Sequence, residues 1–278
     1  MAIQGIRQAL AKPFVATAGL LRAPLPQDAE QSGRFTAWFS SARRDIMRAQ
    51  RMRYRIFSEE YGASIKAPFG LDRDRFDKHC LHLMVRDNQT GELVGYTRVL
   101  TRAAAERTGG FYSASEFDLS MVERLPGQVA EIGRTCIHPD YRGGAVITVL
   151  WSRLARFMVE NDIRYLIGCA SVAFNEGYDL RAIISDVRAR YLSPVGQRVM
   201  PLQPVPRLGT PTGPLPSEPT SVRLPPLLKA YLRMGARVCG EPCWDPDFNC
   251  LDFFILMAVD DLPARYVQHF LNPVARAV

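Results

Sequence analysis

The residues best suited to chemistry fall in two stretches of the chain. The first holds Asp72, Asp74 and Asp77, acids spaced by two and then three residues. The second holds Glu131 and Arg134 and runs into a turn, Arg142-Gly143-Gly144. A glycine turn that opens a helix gathers free N–H groups and the positive end of the helix dipole, so it suits a phosphate. Arg142 adds a mobile positive charge beside it. A carboxylate near such a turn can take a proton from a nucleophile, directly or through one water. Glu131 is the first candidate for that base, with Asp77 or Asp74 next. The acid trio concentrates negative charge, as a cationic substrate would require. Arg98 can hold those acids or a substrate carboxylate, because a guanidinium pairs with a carboxylate at two points. Each residue also has a plainer reading. Glu131 can be an ion-pair partner of Arg134 or Arg98, the trio a solvated loop or helix cap, and the glycine turn purely structural.

The elements that must position these groups are legible from periodicity. Val129, Ile132, Cys136 and Ile137 form a short apolar run of strand length, closed by His138-Pro139-Asp140. After the glycine turn, Val146, Ile147, Leu150, Trp151, Leu154, Phe157 and Met158 repeat at helical spacing. Tyr165–Ala170 reads as the next strand. Leu81–Arg86 and Leu93–Leu100 read as a hairpin turned at Asn88–Gly91. Phe39–Tyr61 is expected to be a helix capped by Ser40 or Ser41. It carries Arg43, Arg44, Arg48, Arg51, Arg53 and Arg55, either a solvated face or a dock for an acidic partner. The stretch 108–119 reads as a loop and Tyr178–Tyr191 as a helix. Near the end, Leu227–Met234 reads as helical, Ala236–Gly240 as strand-like and Phe253–Val259 as a buried closing strand. Residues 194–226 contain ten of the twenty prolines and are read as an insertion without regular structure.

Composition narrows the class. The chain has 278 residues, 47% hydrophobic and 23% charged, with a net charge of +7. That is ordinary for a globular domain and calls for an acidic partner. Acyl carrier protein, anionic lipid and nucleic acid all qualify, but no zinc-finger pattern or RNA-binding aromatic motif supports nucleic acid. The six cysteines lack metal-site spacing, so free thiols and no metal are expected. Residues 1–35 read as a basic tail, disordered or lying on anionic lipid. No run of about 20 apolar residues occurs.

The strand, glycine turn and helix around Glu131 resemble the GCN5-related N-acetyltransferase (GNAT) fold. The resemblance implies a single α/β (α+β) domain over residues 36–278. Its central sheet would be mixed, mostly antiparallel and splayed, and flanked by helices, with the acyl arm in the gap beside the Glu131 strand. Ala145 stands where that family's turn has Gly and Ile147 where it has Gly or Ala, which favours a carrier arm with a single phosphate over a pyrophosphate. Arg53 and Phe57, the acid trio, Arg98, and Glu131 with Arg134 also resemble the motif series of acyl-homoserine-lactone synthases. Ala63 replaces the tryptophan those enzymes carry. GGFYSASEFDL, EIGRTCIHPDYRGG and LLKAYLRMGARVCGEPCWDPDFNCLDFFIL are similar to segments of bacterial ornithine N-acyltransferases.

That last resemblance implies transfer of a 3-hydroxyacyl group from acyl carrier protein to the α-amine of ornithine, giving a lyso-ornithine lipid. Glutamine or glycine as acceptor, and a lactone-signal synthase, remain alternatives. It implies Glu131, Asp77 and Arg134 as catalytic residues. Arg53, Phe57, Asp72, Asp74 and Arg98 would bind substrate, and Arg142, Gly143 and Gly144 the phosphopantetheine arm. No permanently bound cofactor is expected. The partners implied are acyl carrier protein, ornithine and the inner face of the inner membrane, to which a cytoplasmic enzyme would attach peripherally.

Overall fold

A computed structural model of the chain describes residues 29–61, 67–174, 177–205 and 222–271. The expectations for the tail up to residue 28 and for residues 206–221 of the Pro-rich insertion lie outside the described residues. The elements begin with strands β1 (Glu30–Ser32) and β2 (Phe35–Ser40), followed by helix α1 (Arg43–Tyr61). The hairpin β3 (Leu81–Asp87) and β4 (Leu93–Thr101) leads to α2 (Arg102–Thr108), β5 (Phe117–Asp118) and α3 (Ser120–Glu123). Then come β6 (Gln128–Ile137), α4 (Ala145–Glu160), β7 (Ile163–Ala173) and α5 (Leu180–Arg190). The chain closes with β8 (Met200–Pro201), α6 (Pro226–Arg233), β9 (Arg237–Val238), β10 (Cys243–Asp245), β11 (Cys250–Ala258) and α7 (Ala264–Leu271).

Nine strands form the main sheet in the order β1-β2-β3-β4-β6-β7-β11-β10, with β9 also beside β11. All neighbours are antiparallel except β6 and β7. The sheet therefore begins inside the stretch expected to be tail. The start of the expected first helix is also strand: Phe35-Thr-Ala-Trp-Phe-Ser40 pairs along β3 from Phe35↔Asp87 to Ser40↔His82. Its content of aromatic and β-branched residues, Phe35, Thr36, Trp38 and Phe39, outweighs the helical reading. Ser40 still acts at the entry to α1, since its Oγ accepts the Ala42 N–H at 3.2 Å and donates to Asp45 at 2.8 Å. The loop expected at 108–119 is also more ordered than its sequence suggests, holding a 3₁₀ turn at Tyr112–Ser115 and strand β5.

The apolar stripe of α4 forms the main core. Val146, Val149, Leu150, Leu154 and Met158 pack on Val85, Val99, Ile132, Leu166 and Phe253 of the sheet. Burial of a leucine such as Leu154 makes its truncation to alanine cost about 2–5 kcal/mol. The other face carries α1, through Ala49, Ile56 and Phe57 against Met84, Tyr96 and Cys136. Residues of 111–125 cover the same side beside β7 and β11.

The parallel pair β6–β7 is where the sheet opens. Its pairing runs from Gln128↔Ile163 to Glu131↔Ile167 and stops, although both strands continue for six residues. At Gly168 a Cβ would lie 2.5 Å from the Ile132 carbonyl oxygen, so only glycine permits the close approach that precedes the divergence. Beyond it β6 stays with β4 and β7 with β11. About 20 Å of strand thus borders a V-shaped gap. The turn into α4 lies at its open end.

Candidate active site

Glu131 stands at the vertex of that gap, and a cavity lies directly beyond it. Glu131, Gly133 and Arg134 line it from β6, Cys169 and Ser171 from β7. Asp245, Phe248 and Asp252 close it from the β10–β11 hairpin, with Phe57 of α1 and Tyr112 above. On β6 the ladder slips by one residue, because Tyr96 pairs with Cys136 while Arg98 pairs with Gly133. Arg134 sits in this bulge with φ of 53°, a left-handed conformation that a non-glycine residue adopts at a cost of about 1–3 kcal/mol. A strained bulge beside a cavity is a frequent mark of function.

The acid trio does not open into the cavity. Arg53, with no exposed surface, donates from Nε to Asp72 at 2.8 Å and from Nη1 to Asp77 at 2.9 Å. Its Nη2 also donates to the Asp72 carbonyl at 2.8 Å. Arg98 Nη1 donates to Asp74 and to Asp77, both at 2.7 Å. Arg134 reaches the same acids from the cavity wall, 3.2 Å from Asp72 and 3.5 Å from Asp74. Burial alone would raise the Asp77 carboxyl, but Arg53 and Arg98 outweigh it and hold it well below the ordinary range. His82 completes the network. Its Nε2–H donates to the Asp77 carbonyl at 2.9 Å, so Nδ1 accepts from the Tyr96 hydroxyl at 2.7 Å and the ring is neutral. Burial keeps its pKa down.

Asp72, Asp74 and Asp77 were expected to meet the substrate's cationic groups, but the protein's own arginines neutralise them. Arg53 and Arg98 are buried inside the same cluster and pin the 72–77 segment to α1 and β4, rather than reaching a substrate. Asp77, already bonded to both, lacks the spare basicity of a catalytic base. Phe57 and Arg134 do reach the cavity, and Phe57 meets Phe248 edge-on at 6.0 Å.

Glu131 is 3% exposed, and its partners differ from the arginines that the plainer reading assigned. The Tyr112 N–H donates to Oε2 at 2.6 Å and the Ser113 N–H to Oε1 at 2.8 Å. The Ser113 hydroxyl donates to Oε1 as well. Burial raises the Glu131 pKa, and these bonds offset only part of the rise. The carboxylate thus ties the 3₁₀ turn of 112–115 over the vertex of the gap.

A second acidic group was missed by the sequence reading. Glu116, Asp245 and Asp252 gather on the β7–β11 side, with Cys169 donating to Glu116 at 3.1 Å and Ser171 to Asp252 at 2.5 Å. Among the described residues no salt bridge reaches any of the three carboxylates. Burial, then the neighbouring Asp252, pushes Glu116 upward. Burial likewise raises Asp252, with Asp245 adding to the rise. The available signal was Asp252 itself, a lone charge inside the apolar strand Cys250–Ala258.

At the open end, Arg142 is exposed and donates from Nε and Nη2 to the Ile137 carbonyl at 3.2 and 3.1 Å. Gly143 is exposed, and Gly144 takes φ of 98° at the N-cap of α4, a conformation that favours glycine.

The chain is similar to known proteins. Residues 52–152 match the acetyltransferase (GNAT) domain family. A solved N-acyl amino acid synthase from uncultured soil microbes superposes with a TM-score of 0.50 at 12% identity, covering 82% of this chain and 92% of that one; it shows the shared fold. The L-ornithine N(alpha)-acyltransferase of Rhizobium meliloti is 33% identical, covering 81% of this chain and 80% of its own. That of Brucella abortus is 30% identical, covering 83% of this chain and 86% of its own. The chain is an acyltransferase with a GNAT fold and belongs to the L-ornithine N(alpha)-acyltransferase family.

Proposed function

We propose that this chain transfers a 3-hydroxyacyl group from the phosphopantetheine thioester of acyl carrier protein to the α-amine of L-ornithine, giving a lyso-ornithine lipid. The observation that carries the reading is the cavity at the vertex of the β6–β7 gap, with Glu131 on one side and the β6 bulge beside it. The arm would enter at Arg142, Gly143 and Gly144 and run between the strands with its thioester toward Glu131. The α-ammonium must first lose a proton, for which Glu131 is the nearest carboxylate on the reacting strand. The free amine then attacks the thioester carbonyl carbon, an N–C bond forms, and the oxyanion is met by a strand N–H that the bulge frees from the ladder. Collapse breaks the C–S bond, and the leaving thiolate takes up the surplus proton that the new amide nitrogen gives up. Arg134 holds the cavity wall in register.

Relatives named for ornithine acylation favour ornithine over glutamine or glycine. The exposed Arg43, Arg44, Arg48, Arg51 and Arg55 of α1, with Arg142, supply charge for an acidic carrier or an anionic inner-membrane surface. No helix among the described residues is long and apolar enough to cross a membrane, so association with one would be peripheral. The test offers the purified protein hydroxyacyl-carrier or hydroxyacyl-coenzyme A with ornithine, glutamine or glycine. Fast amide formation from the carrier donor with ornithine is expected. No amide with any acceptor, or a lactone formed from S-adenosylmethionine, would refute the reading.

A further inference from the structure

The cavity is lined by groups of opposite charge. Arg134 presents a buried Nε with no aligned hydrogen-bond acceptor, although Asp72 Oδ2 lies 3.2 Å away. Asp245 and Asp252 lie on adjacent strands, where Asp252 stands opposite Cys243 on β10 and Ser171 on β7. Asp252 is 3% exposed and accepts from the Ser171 hydroxyl at 2.5 Å and more distantly from Cys250 Sγ at 3.6 Å. Asp245 Oδ1 accepts the Asp247 and Phe248 N–H groups at 2.9 and 3.1 Å. Neutral donors therefore satisfy both carboxylates, and no cation of the described protein forms a salt bridge with them. Buried carboxylates ordinarily pair with a cation or give up their charge. Arg134, the cation that shares the cavity with them and stacks 4.6 Å over the Phe248 ring, already lies against Asp72 and Asp74. Acids alone would not make a site. These two also line the space in which the acceptor must meet the thioester, and the Arg134 guanidinium, whose Nε makes an ion pair but no aligned hydrogen bond, lines the same space.

We propose that Asp245 and Asp252 hold the side-chain ammonium of the acyl acceptor while Arg134 faces its carboxylate, so that this cavity selects a dibasic amino acid. The assignment rests on the N-acyltransferase reading above. Ser171, beside Asp252, lies four residues beyond Ile167, the partner of Glu131, which is about 13 Å of strand. Carboxylates reaching inward from both ends leave the span of an extended amino acid with a cationic tip. Glycine would leave the Asp245–Asp252 end unmet, and glutamine would bring a neutral amide to it.

The test compares ornithine with norvaline, which has the same carbon chain and no side-chain ammonium, in wild type, Asp252→Asn and Asp245→Asn, using the full chain and a saturating acyl-carrier donor. Losing one member of a desolvated charge pair lowers affinity by about 30-fold or more. The expected result is such a fall in kcat/KM for ornithine, carried by KM, with far less change for norvaline. An unchanged ornithine-to-norvaline ratio in both variants would overturn the proposal. Asp245, Cys250 and Asp252 also place ligand atoms within 4.8 Å of one another, as a metal ion would need. Loss of ornithine turnover on chelation, restored by a divalent ion, would give these acids to a metal and equally overturn it. If the variants do not fold, thermal shift of wild type decides, with stabilisation by ornithine and not norvaline expected and equal stabilisation contradicting. Wild type that forms no amide would sink the catalytic reading, while the same thermal-shift comparison still judges the cation site.

Discussion

Two groups of carboxylates stand within one fold and are handled in opposite ways. Asp72, Asp74 and Asp77 lie against Arg53, Arg98 and Arg134 in a closed cluster. Glu116, Asp245 and Asp252 lie across the β6–β7 gap with hydroxyl, thiol and backbone partners only. The first group has its charge matched and acts as a clamp, holding the 72–77 segment under the bulge that carries Arg134. The second sets two of its members, Asp245 and Asp252, at a cavity wall with no cation bonded to them. Acidity alone is therefore a poor guide to a cation site. What distinguishes the two is whether the protein supplies the countercharge.

The largest expected effect tests the residue between the groups. If Glu131 accepts the amine proton, Glu131→Gln should lower turnover by about 10²–10⁴-fold. The substitution is less innocent than its shape implies, because the Gln amide would turn an NH₂ toward an N–H donor of Tyr112 or Ser113. A stability loss of about 1–3 kcal/mol should accompany it. Turnover per folded molecule, measured beside a melting curve, separates the two effects. A variant that melts early but turns over normally would reduce Glu131 to an anchor of the 112–115 turn.

Next is the clamp. Arg53→Met should cost about 3–5 kcal/mol, since it removes the buried guanidinium that bonds both Asp72 and Asp77 and leaves each with one cation, Arg134 or Arg98. The melting temperature should then fall by about 10 °C. Asp252→Asn should instead leave stability within about 1 kcal/mol of wild type or above it, because it removes a buried charge that has no partner. Equal losses in the two variants would erase the contrast between the groups.

The pH dependence should differ in sign. Asp74 and Asp77 are depressed in the folded state, so their contribution is present above the ordinary carboxyl range, roughly 4, and is lost as pH falls through their folded values. Glu116, Asp245 and Asp252 are raised, so their contribution is present below about 4 and is lost as pH rises through their folded values. Denaturant unfolding across pH should show the stability of wild type relative to Asp252→Asn declining as pH rises. Relative to Asp77→Asn it should decline as pH falls. Parallel curves would contradict the account.

The smallest effect lies at the mouth of the gap. Arg142 is exposed, so Arg142→Ala should raise KM for the acyl-carrier donor about two- to five-fold at low salt, and KM for the amino acid less. Added salt should shrink the difference. A salt-independent change would point to the Ile137 carbonyl contact instead.

Much of the fold was legible because periodicity reports burial. The stripe of α4 and the apolar runs of β6 and β7 could be read directly, as could the hairpin β3–β4. Strand β2 was missed because Phe35–Ser40 is short and adjoins a strong helical segment. The site was legible in part. Glu131, Arg134 and Phe57 were picked out and line the cavity. The resemblance to acyl-homoserine-lactone synthases, with residue types and spacing, named the trio and its arginines, but neither says which partner a charge has. Asp77 and Arg53 are 24 residues apart in sequence and bonded in space. Asp245 and Asp252 become a site only when β11 pairs with β7, a long-range register that no local pattern encodes.

The most direct measurement of the central claim is the position of the acyl group in the product. Purified protein is given hydroxyacyl-carrier and ornithine, and the product is fragmented by tandem mass spectrometry. With the reacting amine at the vertex beside Glu131 and the side-chain ammonium held by Asp245 and Asp252, a single α-amide with a free δ-amine should form. A δ-amide, or no amide from a folded preparation, would contradict the account.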